Sequence, residues 1–167
     1  MNAVGFLVPP LLLANGWLAP AKAGEPRSNH FSDPFIAITS GLPKCPVPLG
    51  PMILASEVAA EAHGRSQRGV SCHLAGRCRL PNAYLYDKEI IPRVKIAVEA
   101  SGQFGGTSIW AYGQRRWVYL QGCVASRAQS LELTRIVGLI DDVESVVNEL
   151  MVGSDGVPPY RTLENSK

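Results

Sequence analysis

The side chains able to do chemistry are few: three histidines, four cysteines and a pair of adjacent aspartates. His30, His63 and His73 all lie in the Pro-rich first half, where no regular scaffold would hold a Ser/His/Asp or Cys/His arrangement in reacting geometry. Asp141 and Asp142 are neighbours, and adjacent side chains diverge, so they read as a solvated helix end and not as an acid/base pair. Gly102, Gly105 and Gly106 follow an expected helix and precede an expected strand, the reverse of the order a phosphate-cradling loop requires. No catalytic residue is assigned and no cofactor is implied.

The cysteines Cys45, Cys72, Cys78 and Cys123 contain no Cys-x-x-Cys pair, which removes a thioredoxin-like role. In an oxidising compartment Cys72 and Cys78, with Gly76 between them, suit a disulfide closing a tight loop. Cys45 and Cys123 are then a second pair or two unpaired thiols. A metal site built from Cys72, His73 and Cys78, with His63 as fourth ligand, is the chemical alternative. Its spacing is poor, because five residues between cysteines exceed the usual two to four.

A binding surface is the stronger signal. Two short alternating runs, Thr107 to Tyr112 and Trp117 to Gly122, flank Gly113-Gln114-Arg115-Arg116 and read as a β-hairpin. Ile109, Ala111, Val118 and Leu120 then share the core face, while Trp110, Tyr112, Trp117 and Tyr119 stand on the other. Arg115 and Arg116 add two positive charges at the tip. Such a face suits a phospholipid surface, with aromatics at headgroup level and arginines on phosphates. It equally suits a protein partner, since Trp, Tyr and Arg dominate interface hot spots. A third outcome is that the Cys-containing N-terminal segment folds over this face and makes it ordinary core.

The elements that must position this hairpin follow from periodicity. Asp87 to Ala100 places Ile90, Val94, Ala97 and Val98 on one helical stripe, with Asp87 as N-cap and Pro92 moving the regular start towards Ile91. Ser126 with Gln129 forms a capping-box signature ahead of the stripe Leu133, Ile136, Val137 and Ile140. Val143 to Val152 has the β-branched content of a last strand. The expected fold is α+β in the order helix, strand, strand, helix, strand. Its three-stranded sheet carries two helices on one face.

The rest of the chain reads as appendages. Residues 1–23 are mostly apolar over Phe6 to Leu18 and end in Ala21-Lys22-Ala23, the pattern of a cleaved secretory signal. Pro9, Pro10, Asn15 and Gly16 break a run already too short to span a bilayer. Residues 24–51 hold six prolines and read as an extended connector. Residues 52–86 carry a short helix, ended by Gly64, and the Cys72/Cys78 loop; residues 153–167 are a polar tail. Sixteen Lys and Arg against fourteen Asp and Glu give a net +2, too balanced for a dedicated nucleic-acid binder.

Residues 87–152 resemble the BON domain of bacterial envelope proteins, a family that includes osmotically induced periplasmic proteins. The resemblance rests on Asp87 opening the first helix, on Val118-x-Leu120-x-Gly122-x-Val124, and on the helix from Ser126. The closing Val143-x-x-Val146-x-Asn148-x-Leu150-x-Val152 completes it. Where the family usually has a glycine two residues before Val118, this chain has Arg116, and one copy of the domain is found where two are common. The resemblance implies an αββαβ module in the periplasm. It also implies a module without catalytic residues that binds phospholipid surfaces or envelope proteins in envelope maintenance or stress protection.

Overall fold

The computed structural model describes residues 25–164; the expected signal at residues 1–23 lies outside the described residues. In chain order the elements are β1 (Arg27–Ser28), β2 (Phe35–Ser40), β3 (Ile53–Leu54), a 3-10 turn (Ala55–Glu57), α1 (Val58–Gly69) and α2 (Ser71–Leu74). A second 3-10 turn (Ala83–Tyr86) leads into α3 (Asp87–Ala100), β4 (Ser108–Gln114), β5 (Trp117–Val124), α4 (Arg127–Gly138) and β6 (Ser145–Val152). The sheet has the order β2-β4-β5-β6, with β5 and β6 parallel and the other pairs antiparallel. The αββαβ order therefore stands, but the sheet has four strands and not three.

The fourth strand comes from the segment expected to be a connector. Phe35-Ile36-Ala37-Ile38-Thr39 is a β-rich run between Pro34 and Gly41, and the prolines of this region bracket it without interrupting it. A register shift between Ala37 and Thr39 leaves Ile38 in the core and lets the Thr39 hydroxyl accept from the Ile109 amide at 3.1 Å.

One face of the sheet packs on α3 and α4. Tyr86, Ile90, Ile91, Val94 and Val98 meet Ile109, Ala111, Val118 and Leu120, with Leu133 and Val137 from α4. Complete burial of each large aliphatic side chain stabilises the fold by roughly 1.5–3 kcal/mol. Pro92 lies inside α3, which begins at Asp87 and not near Ile91. Pro92 is the sixth residue of α3, so the helix forgoes one interior hydrogen bond, to residue 88, and still runs from Asp87. Gly122 sits at φ +123° with Ser108 O only 2.1 Å from where a Cβ would be, so this motif position excludes a side chain.

The opposite face has two fates. Near its Cys123 end it is covered by residues 45–50 and by the tail, which is not a free polar extension. Cys45 and Cys123 form a disulfide (Cα–Cα 5.8 Å), Leu49 is buried, and its amide donates to Arg161 O at 2.8 Å. The Tyr160 hydroxyl donates to Pro46 O at 2.8 Å. Near the hairpin tip, α1 takes the covering position. This helix runs through Gly64 to Gly69, because the Glu61–Arg65 pair (2.9 Å) bridges the glycine and Arg65 is clamped beyond it.

Candidate functional site

The site is assembled at the tip of the β4–β5 hairpin. Arg115 and Arg116 form its two-residue turn at φ +59° and +68°, the left-handed geometry that matches strand twist but usually needs Asn-Gly. Asp87 makes the turn tolerable. Its carboxylate is 1% exposed and accepts both turn amides, Arg115 N and Arg116 N, at 2.7 Å each. Asp87 is thus the cap of the hairpin and not the N-cap of α3, a position held by Tyr86. Burial pushes its carboxyl up from 3.8 to about 7, against the opposing pull of the two amides.

The two arginine side chains part company. Arg116 is turned into the protein: its Nε donates to Asp142 O at 2.8 Å, Nη1 lies 3.1 Å from Cys78 Sγ, and the guanidinium stacks on Tyr86. Its task is to fasten the tip to the Cys72–Cys78 loop. Arg115 lies over the Trp117 ring at 5.2 Å and makes no ion pair among the described residues.

The four aromatics do share the outer face, and their neighbours are now visible. Tyr112 and Tyr119 are directly paired and stacked at 4.5 Å, and Phe35 of β2 meets Tyr112 edge-on at 6.3 Å. Trp110 lies between Ala37 and Gln121 on the flanking strands. Each of the four is half-buried, so the face is neither open surface nor sealed core. Desolvation drives the Tyr112 hydroxyl well above the usual phenol range.

What the hairpin lacks, α1 and the turn before α3 supply. A cavity of about 280 Å³ has Gln114, Arg115, Trp117 and Tyr119 on its sheet side and Glu61, Arg68 and Tyr84 on its helix side. The helix side is held by a buried clamp. Arg65 donates to both Asp33 oxygens (2.7 and 2.5 Å) while stacked between Phe31 (4.0 Å) and Tyr84 (4.5 Å), and Gln114 Nε2 donates to Asp33 at 2.7 Å. The Trp117 indole N–H is buried with no acceptor among the described residues. Arg68 pairs loosely with Glu61 at 3.5 Å. The groove therefore presents two cations, one carboxylate and three aromatic rings, an amphipathic site with one net positive charge.

Arg68 and Tyr84 escape a reading of the sequence, since no local pattern links residues so far from the hairpin. The metal alternative fails on geometry. Cys72 and Cys78 are joined to each other (Cα–Cα 5.4 Å), and the His73 ring faces Cys78 O at 3.2 Å. Among the described residues, no group of three or more His, Cys, Asp or Glu side chains could hold a metal ion.

A family model described as BON domain matches residues 86–154. No curated protein and no solved structure matches the chain. The BON domain points to a membrane-, phospholipid- or envelope-related role in general, and proteins that carry it are generally non-catalytic. Residues 86–154 thus match the BON domain family, and residues 25–85 add a fourth strand and one wall of the groove to that matched part.

Proposed function

We propose that this is a non-enzymatic envelope protein that binds phospholipid surfaces through the hairpin end of its BON domain, in envelope maintenance or stress protection. The observation that carries the reading is the groove that brings Arg68 and Arg115 beside Tyr84, Trp117 and Tyr119. Guanidinium groups pair with phosphates, and the rings favour the headgroup layer. Of the residues expected to bind, Arg115, Trp117 and Tyr119 line the groove, whereas Trp110, Tyr112 and Arg116 support it from behind or beside.

The protein acts in the periplasm after cleavage between Ala23 and Gly24. Two disulfides support an oxidising compartment, and the apolar, small-residue-terminated N-terminus supports export. Intact-mass measurement of the exported protein tests this: a mass starting at Gly24 is expected, and a retained Met1 in the membrane pellet would overturn it.

Co-sedimentation with phosphatidylglycerol-containing and pure phosphatidylcholine vesicles tests the binding reading. Preference for the anionic vesicles is expected, with Arg115→Glu weakening it roughly thirtyfold at about 1 kcal/mol per charge for the two charges changed. A protein-docking role is the second reading, favoured by Glu61 beside Arg68, which gives the groove a mixed-charge wall. Capture of a defined envelope protein, lost on Arg115→Glu, together with indifference to lipid, would establish it instead.

A further inference from the structure

The segment just before the BON match carries an uneven charge. Residues 62–86 contain four arginines and no Asp or Glu, the longest such imbalance near the hairpin end. Arg65 is neutralised by Asp33, and Arg79 by Glu89 and Asp142. Among the described residues Arg77 has no ion-pair partner, and Arg68 has only the loose contact with Glu61 at 3.5 Å.

Within this stretch the Cys72–Cys78 disulfide closes a loop whose members His73, Leu74, Ala75, Gly76 and Arg77 are all exposed. Leu74 is 80% exposed, and Leu85, on the turn against which α2 packs, is 48% exposed. The loop is not loose. Its Cys72 end is buried, Arg77 N donates to Cys72 O at 2.9 Å, and Arg116 of the hairpin tip reaches Cys78 Sγ at 3.1 Å. A rigid apex that bears an aliphatic side chain and Arg77 and has no carboxylate of its own is complementary to an anionic bilayer: leucine for the acyl boundary, arginine for the phosphates.

We propose that the disulfide-closed loop is a membrane-inserting wedge, with Leu74 and Leu85 entering an anionic bilayer while Arg68, Arg77 and Arg115 stay at phosphate level. The inference rests on the phospholipid reading above and assigns its depth and its point of entry. It places the entering side chains, Leu74 and Leu85, outside the BON match.

The test uses the purified protein with vesicles of equal phosphatidylglycerol and phosphatidylcholine. Leu74→Ser should weaken binding about tenfold, the loss expected when one aliphatic side chain no longer enters the acyl boundary. Since Leu74 is exposed, the melting temperature should not move. In Leu74→Trp, the introduced indole should shift to the blue on binding and be quenched by lipids brominated near the top of the acyl chain, beyond the quenching of the unsubstituted protein. If Leu74→Ser binds like the parent and the new indole stays unquenched while Arg115→Glu abolishes binding, the wedge is wrong and the groove reading stands. If the parent protein leaves such vesicles in the supernatant, both are wrong.

Discussion

At the residue scale, Asp87 links α3 to the hairpin and holds the tip in a conformation its own sequence disfavours. Two non-glycine residues at positive φ cost roughly 1–2 kcal/mol each, offset by two charge-assisted hydrogen bonds from one buried carboxylate. Asp87→Ala should cost about 2–4 kcal/mol, read as a lower urea midpoint, because two buried amides lose their acceptor. The pH dependence has a definite sign. A carboxyl at about 7 in the folded chain and 3.8 unfolded binds more protons when folded, so its contribution falls as pH rises between those values. Stability relative to Asp87→Asn should therefore drop by a few kcal/mol from pH 4 to pH 7 and level off above, in urea titrations run across that range.

Among the elements, β6 is the parallel edge strand of the sheet, and its free rim needs a guard. Asn148 supplies it. Its Oδ1 accepts the Leu150 amide at 3.0 Å, while its Nδ2 donates to Ser130 and Thr134 hydroxyls of α4 at 2.8 Å each. Asn148→Val should free that amide for pairing with another chain and release α4, giving concentration-dependent dimers in sedimentation velocity with roughly 1–2 kcal/mol lost. The other edge of the sheet is β2, whose chain runs on to Cys45 and is pinned there to Cys123 of β5. That bridge spans 78 residues in sequence, against 6 for Cys72–Cys78. Chain entropy assigns it roughly 4 kcal/mol and the short bridge about half of that. Melting of Cys45→Ala/Cys123→Ala beside Cys72→Ala/Cys78→Ala should reveal that order.

For the whole molecule, the N-terminal half and the tail turn a two-layer module into one with a partly filled third layer. The aromatic face is where this matters. Trp110→Ser/Trp117→Ser should destabilise the protein by about 2–4 kcal/mol in thermal melts, since both rings are half-buried against neighbours and not free in solvent. Arg115, by contrast, is the groove residue whose substitution should leave the melt unchanged and alter only binding. No helix of the described residues is long and apolar enough to cross a membrane.

The sequence by itself determined the αββαβ order, because periodicities of 3.6 and 2 and the Ser126 cap are local signals that survive in any context. It determined the division of the hairpin into a core face and an aromatic face for the same reason, strand alternation being geometric. Cys72 and Cys78 were readable because they are close in the chain. Only the tertiary structure decided the rest. Residues 35–40 are a strand because β4 offers them an edge, which prolines on either side conceal. Cys45 meets Cys123 because that strand is docked. Arg115 and Arg116 diverge because Asp142, Cys78 and Tyr86 converge on one of them and not on the other. Arg68 and Tyr84 enter the groove through the Asp33–Arg65–Gln114 clamp, whose partners lie far apart in the chain and become neighbours only when their burial stabilises the whole.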